Sequence, residues 1–285
     1  MRDGIKRSFW RKKEAARIKE LTEYLEKINT GNGGVLFSTG EDDFSKLQDE
    51  IYKTVTELYQ TRDEALRARS LFAENLSNIA HQLKTPITAI SLSTQMMYDE
   101  PSPAHLEQIQ KQLARLTYLE EALLLLSRID AGVLSFCKEK LDVFTLLMLA
   151  ADNLQELFLA ADVSVHIPES SETVICADLD WTMEAVMNIL KNCMEHTPSG
   201  GSIYCSYEQN PLYTQIKIWD TGAGFAKEDI PHLFERFYRG QNAKNGGIGI
   251  GLPLAKALIE GQNGTITAGN MTGGGACFEI HFYCH

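Results

Sequence analysis

Residues Asn78–Ile90 read NIAHQLKTPITAI, a stretch with helical apolar spacing in which a proline, Pro86, follows a histidine by five positions. Proline in a helix interior deletes a backbone hydrogen bond, crowds the preceding turn and costs roughly 3 kcal/mol. Ile79 and Leu83 mark the buried seam of this helix, so His81, two residues from each, faces away from it. His81, Lys84, Thr85 and Thr88 then share one exposed polar face. Pro86 leaves the Gln82 carbonyl without its helical partner and can bend the helix one turn past the histidine. A lone exposed histidine is ordinarily only a surface residue; a helix defect beside it points to a use.

Working outward, the seam runs through Phe72, Leu76, Ile79, Leu83, Ile87 and Ile90, stops at DEPSP (Asp99–Pro103), and resumes at Leu106, Ile109, Leu113, Leu116, Leu119, Leu123 and Leu126. This is the pattern of a long antiparallel helical hairpin. Alone it exposes a continuous apolar seam, which pairing of two copies into a four-helix bundle buries most simply. Gly132 is the expected stop beyond the second helix. Upstream, Ile18, Leu21, Leu25 and Ile28, the break NTGNGG (Asn29–Gly34), and Phe44, Leu47, Ile51, Val55 and Leu58 predict two heptad helices joined by a glycine-bearing connector. Downstream of RIDAG (Arg128–Gly132), strand-like runs occur at VSVHI, TVICA, SIYCSY, TQIKIW, GTITA and CFEIHFY, with helical stretches near 142–160, 179–195 and 250–261. The fold class is therefore α followed by α+β: a helical hairpin, then an α/β sandwich.

The 285 residues carry a net charge of -11, which argues against nucleic acid as a partner, since a phosphate backbone requires a basic footprint. An anionic small ligand would have to be held by backbone amides or a metal. Cys137, Cys176, Cys193, Cys205, Cys277 and Cys284 have no close-paired spacing and read as reduced, packed thiols. No apolar run approaches the ~18 residues of a membrane helix and no signal peptide is visible, so the chain reads as soluble. Its first twenty residues nevertheless hold eight Lys or Arg against three acidic residues, with Phe9 and Trp10 interleaved. A juxtamembrane segment against anionic lipid has this composition, and so does a solvated basic helix start.

Three further stretches carry chemistry. In NILKNCMEHT (Asn188–Thr197), Asn188 and Asn192 are one turn apart beside the apolar face Val186, Ile189, Leu190 and Met194. Asparagine is a poor helix former, and a carboxamide oxygen suits Mg²⁺, which keeps most of its waters and bridges substrate phosphates. In WDTGAGF (Trp219–Phe225), Asp220 ends a strand beside Gly222 and Gly224, where a carboxylate can accept a hydrogen bond from an adenine amino group; an ordinary Asp-Gly turn reads alike. In GGIGIGL (Gly246–Leu252), Gly247, Gly249 and Gly251 precede an amphipathic helix, so that successive amides and a helix N-terminus form an anion cradle without a basic side chain.

In this order and spacing the pieces resemble the sensor histidine kinases of two-component signalling over roughly residues 67–283. HQLKTP is similar to their phosphoacceptor box, NILKNCMEHTPSGG to the N box, DTGAGF and GGIGIGL to the two glycine boxes, and LFERFYRG to the F box. The resemblance implies a HAMP-like signalling linker with a basic start over 1–66, a dimerisation and phosphotransfer domain over 67–134, and an ATP-binding domain of the gyrase, Hsp90 and MutL type over 135–285. It makes His81 the phosphorylated nucleophile, Gln82 its neighbour, and Thr85 the group positioning water in a reverse phosphatase reaction. Asn192 becomes the Mg²⁺ ligand, Asn188 a support for the phosphates of ATP, and Asp220 the reader of adenine. Gly222, Gly224, Gly247, Gly249, Gly251 and Leu252 shape the pocket and its lid, Phe234 and Phe237 pack the lid's root, and Arg236 or Arg239 stands near the transferring phosphate. The implied partners are a second copy of the chain and the receiver domain of a response regulator, at the cytoplasmic face of a membrane. Two departures stand out. Gln82 replaces the usual acidic residue and can accept a hydrogen bond but cannot act as a base. Ala276 and Cys277 stand where the family often has threonine or serine before the phenylalanine. The alternatives are a catalytically weak dimeric ATP-binding scaffold, which Gln82 favours, and a phosphatase-dominant sensor.

Overall fold

In the computed structural model residues 2–29, 43–99, 101–169, 173–240 and 247–283 are described. The expected connector after Asn29, and Gly246 at the start of the second glycine box, lie outside them. The chain divides into two compact units, Met1–Glu74 and Asn75–His285, with the division inside a helix. The first unit pairs α1 (Arg2–Asn29) with the beginning of α2 (Asp43–Asp99). Arg17 donates to the buried Ser45 hydroxyl at 2.7 Å, and Tyr59 Oη donates to the Ile28 carbonyl at 3.1 Å. Both contacts advance in the same direction along the two helices, which therefore run parallel.

In the second unit α2 continues through Pro86 as helix and is followed by α3 (Pro103–Asp130). Ser102 caps α3 by accepting from the Ala104 N–H at 3.4 Å, with Pro103 in the first helical position, where its missing N–H costs nothing. At the other end Gly132, at φ +65°, takes the left-handed conformation expected of the residue after the cap Ala131.

The α/β part opens with β1 (Glu139–Asp142), antiparallel to β3 (Val174–Ala177). The run EKLD lacks strand composition and was not expected to pair. The stretch near 142–160 is two helices, α4 (Val143–Asp152) and α5 (Gln155–Ala161). The break has a local cause: the Asn153 amide takes the Leu149 carbonyl at 2.8 Å and ends α4. A five-stranded sheet follows in the order β2 (Ser164–His166), β4 (Ser202–Gln209), β5 (Tyr213–Asp220), β7 (Ala276–Tyr283), β6 (Gly264–Asn270); β2 and β4 are parallel and the other pairs antiparallel.

Strand periodicity sends Ile203, Cys205 and Tyr207, Ile216 and Ile218, and Phe278, Ile280 and Phe282 to one face, where α6 (Leu179–His196) and α7 (Gly251–Glu260) complete the core. The same period turns Asp220, at the end of β5, inward. Asp178 caps α6 by accepting from the Trp181 N–H, and its own N–H donates to the buried Gln262 side chain at 2.7 Å, which ties the start of α6 to the end of α7. Among the described residues no single helix is long and apolar enough to cross a membrane.

Candidate functional site

A cavity of about 560 Å³ lies between α3, α6, the turn after β5 and the glycine run before α7. Helix α6 forms its floor with Asn188, Lys191, Asn192, Glu195 and His196, one face of successive turns. Gly224 and Phe225 come from the first glycine turn, Asp229, Tyr238 and Arg239 from the segment beyond it, and Gly247, Gly249, Gly251 and Leu252 from the second glycine box. Helix α7 starts with no side-chain cap, so its first turn faces the cavity without an anionic group of its own. Gly249, at φ +75°, is required on a second ground: a Cβ there would lie 2.7 Å from the Tyr238 carbonyl oxygen. The Phe237 N–H donates to the Gly249 carbonyl at 2.7 Å, and Phe234 and Phe237 pack against the core. The Phe237 backbone thus ties its segment to the glycine run.

The polar inventory has an informative remainder. Among the described residues, Asn192 Oδ1, Asp220 Oδ2 and Arg115 Nε are buried with no hydrogen-bond partner. Each such orphan costs about 1–3 kcal/mol; Asn192 and Arg115 line the cavity and Asp220 does not, so the first two call for a ligand there. Asp220 is 1% exposed; its Oδ1 accepts from the Gly222 N–H at 2.8 Å and the Ala276 N–H at 3.1 Å, which leaves Oδ2 free to accept. The contact from residue 276 is a backbone one, so alanine at that position keeps it. Cys193 lies beside Asp220, and burial first, then the Asp220 charge, hold its thiol well above its ordinary pKa and therefore protonated. No group of three His, Cys, Asp or Glu among the described residues could hold a metal. A cation here would rest on the Asn192 carboxamide and on ligand oxygens, which is the pattern of Mg²⁺ with a phosphate substrate.

Several expected site residues are placed otherwise than the motifs suggest. Asn188 lines the cavity, but its Oδ1 accepts from Tyr118 Oη at 3.0 Å and its Nδ2 donates to the Glu184 carbonyl and carboxylate, both at 2.8 Å. Its amide is thus spent on protein partners. Arg236 does not line the cavity; Asp130, just before the end of the hairpin, binds it at 2.7 Å, and Arg239 takes the cavity position. Gly222 supports Asp220 through its N–H and does not line the cavity either. His81, Lys84, Thr85 and Thr88 are exposed on α2, with Gln82 half-buried and Pro86 buried. Thr85 Oγ1 donates to the His81 carbonyl at 3.3 Å. None of these α2 residues lines the cavity.

Arg115, Tyr118, Lys191, Glu195, Asp229 and Tyr238 line it without having been expected. Lys191 could have been found as the cation between two site asparagines. Tyr118 could have been noticed as an aromatic in a leucine-rich helix, but nothing in its own segment says what it meets. Its phenol is pushed up to about 12, first by burial and then by the charges of Glu184 and Glu195, so it remains a donor.

Residues 73–132 match the model of the His Kinase A (phospho-acceptor) domain, and residues 177–284 that of the histidine kinase-, DNA gyrase B- and HSP90-like ATPase. Among curated proteins, the signal transduction histidine-protein kinase BaeS of Escherichia coli is 28% identical over 72% of this chain and 45% of its own length. The heme sensor protein HssS of Staphylococcus saprophyticus is 30% identical over 93% of this chain and 57% of its own. The chain spans about half the length of the curated relatives it matches. The solved histidine kinase AdeS of Acinetobacter baumannii shares the fold, with a TM-score of 0.62 at 23% identity, covering 71% of this chain and 97% of that one. A match to the phospho-acceptor domain followed by a match to the ATPase domain, together with these relatives, means that the chain belongs to the sensor histidine kinases of two-component signalling.

Proposed function

We propose that this chain is an ATP-dependent protein-histidine kinase that phosphorylates His81 and passes the phosphoryl group to an aspartate of a response regulator's receiver domain. The observation that carries the reading is the orphaned acceptor Asn192 Oδ1 at the cavity, beside the glycine run before α7, in a chain that presents His81 on an open helix face. Asp220 Oδ2 would accept from the adenine amino group, and the start of α7 would receive the phosphates on its backbone amides. Asn192 would hold Mg²⁺, which when bound supplies charge neutralisation on the phosphate oxygens.

An imidazole nitrogen of His81 then attacks the γ-phosphorus in line; the new N–P bond forms as the bond to the bridging oxygen breaks, and ADP leaves. Such a transfer needs little covalent help and much positioning. Because His81 does not line the cavity, transfer requires an arrangement in which the ATP-binding part swings from α3 toward α2, or in which His81 comes from the second copy. A second copy is favoured by the exposed seam residues Leu76, Leu83, Ile87, Leu106 and Leu113. Thr85, beside His81 on the same face, would hold water for dephosphorylation of the regulator. The basic first helix would lie at the cytoplasmic face of a membrane, next to the HAMP-like linker. Incubation with labelled ATP and Mg²⁺ tests the reading: acid-labile, base-stable label absent from His81→Ala supports it, and label that persists in that variant refutes it.

A further inference from the structure

We propose that Arg115, carried by hairpin helix α3 and not by the ATP-binding domain, binds the terminal phosphate of ATP and makes the site select triphosphate over diphosphate. The inference rests on the nucleotide reading above and assigns that site a residue from the other domain.

The orientation of the cavity follows from contacts along α6. At its C-terminal end, a Cβ on Gly222 would lie 2.4 Å from the His196 carbonyl oxygen, so His196 marks the end where Asp220 would read the base. At the other end, a Cβ on Gly251 would lie 3.0 Å from Asn188 Oδ1 and 3.7 Å from Tyr118 Oη, so Asn188 marks the end where α7 begins. Eight residues of helix separate the two, roughly 12 Å at 1.5 Å per residue, enough for an extended nucleotide. The base belongs at His196 and the phosphates at Asn188.

Tyr118 touches Asn188 directly, and Arg115 precedes Tyr118 by three residues on α3, on the same helix face. Both line the cavity. Arg115 is thus within one helical turn of the phosphate end, where Lys191 also stands, its ammonium 5.9 Å from the centre of the Tyr118 ring. Its Nε is buried and without a hydrogen-bond partner among the described residues. A half-buried guanidinium with an unpartnered Nε, at a cavity whose other orphan is the Asn192 acceptor, is matched by an anion, and its planar fork suits two oxygens of a terminal phosphate. ADP lacks that group, so only the triphosphate would satisfy Arg115 and bind α3 at the same time.

The test is binding of Mg-ADP and of a magnesium-bound non-hydrolysable ATP analogue to the full chain by titration calorimetry, for the parent, Arg115→Ala, Arg115→Gln and Arg115→Lys. Arg115→Ala and Arg115→Gln are expected to weaken the ATP analogue tenfold or more while ADP affinity stays within twofold, and Arg115→Lys to fall between. Retained ADP binding also shows that the variants fold. Equal losses for both nucleotides, a greater loss for ADP, or no loss overturns the proposal. A parent that binds neither nucleotide overturns the ATP reading itself, and this assignment with it.

Discussion

Replacing Gly275 by alanine tests whether the turn between β6 and β7 is shaped to hold Asp220. Gly275 sits at φ +94°, and a Cβ there would lie 1.9 Å from the Asp220 carbonyl oxygen and 2.9 Å from its carbonyl carbon. Both atoms are backbone, so no side chain can swing aside. The left-handed conformation alone costs a non-glycine residue about 1–2 kcal/mol. Relieving the collision would push Asp220 away from Ala276, whose N–H donates to its Oδ1, and a hydrogen bond to a charged group is worth roughly 1.5–3 kcal/mol. The total is on the order of 2.5–5 kcal/mol, whose upper end is near the extreme for single substitutions. Two neighbours grade the effect. Gly274, at φ +95° with nothing nearer its Cβ position than a carbonyl oxygen at 4.0 Å, isolates the conformational cost, so Gly274→Ala should lose about 1–2 kcal/mol. Gly273 has open space and no positive φ, so Gly273→Ala should stay within about 0.5 kcal/mol. Urea unfolding followed by tryptophan fluorescence, to which Trp219 beside Asp220 contributes, ranks the three. A Gly275→Ala variant as stable as Gly273→Ala would refute the reasoning. Nucleotide affinity should fall in the same order, because the displaced group is the proposed adenine acceptor.

Tyr118 supplies a pH dependence. Its folded pKa of about 12 lies above the ordinary 10.0, so its contribution is complete below pH 10 and lost as pH rises through 12; at pH 11 roughly 1.4 kcal/mol should be gone. The stability of Tyr118→Phe relative to the parent should therefore improve by about that much between pH 8 and 11, and a constant difference in urea midpoints would count against it. Asn192→Ala removes a buried orphan, so the variant should unfold no more easily than the parent while Mg-ATP affinity drops about tenfold or more; a clear loss of stability would mean that Asn192 serves the fold. Gln82→Glu should raise the autophosphorylation rate, by at most the order of 10² that a positioned base can supply. A rate equal to or below the parent's would show that residue 82 takes no part in proton removal.

Periodicity carried most of the architecture because burial enforces it. The alternation of β5 announced both the strand and the inward turn of Asp220, and the three- and four-residue steps of α3 announced the hairpin. β1 escaped because EKLD buries only Leu141; its pairing with β3 is supplied by the partner strand, not by its own composition. The site was legible where a motif holds its own chemistry and illegible where a distant segment decides the outcome. Arg236 and Arg239 are equivalent candidates in the sequence, yet Asp130 engages the first and leaves the cavity to the second. Asn188 and Asn192 read as one pair, but Tyr118, seventy positions earlier, hydrogen-bonds the first while the second keeps an unpaired oxygen. These two long-range contacts have a common direction: each joins the hairpin to the ATP-binding part. The arrangement described here is therefore held by groups that a transferring state must release, since His81 lies on the other hairpin helix. An exposed ion pair such as Arg236–Asp130 contributes about 0–1 kcal/mol and a neutral hydrogen bond such as Tyr118–Asn188 about 0.5–1.5 kcal/mol. Forces of that size favour one arrangement without locking it, which is what a kinase that must alternate between nucleotide binding and phosphoryl transfer requires.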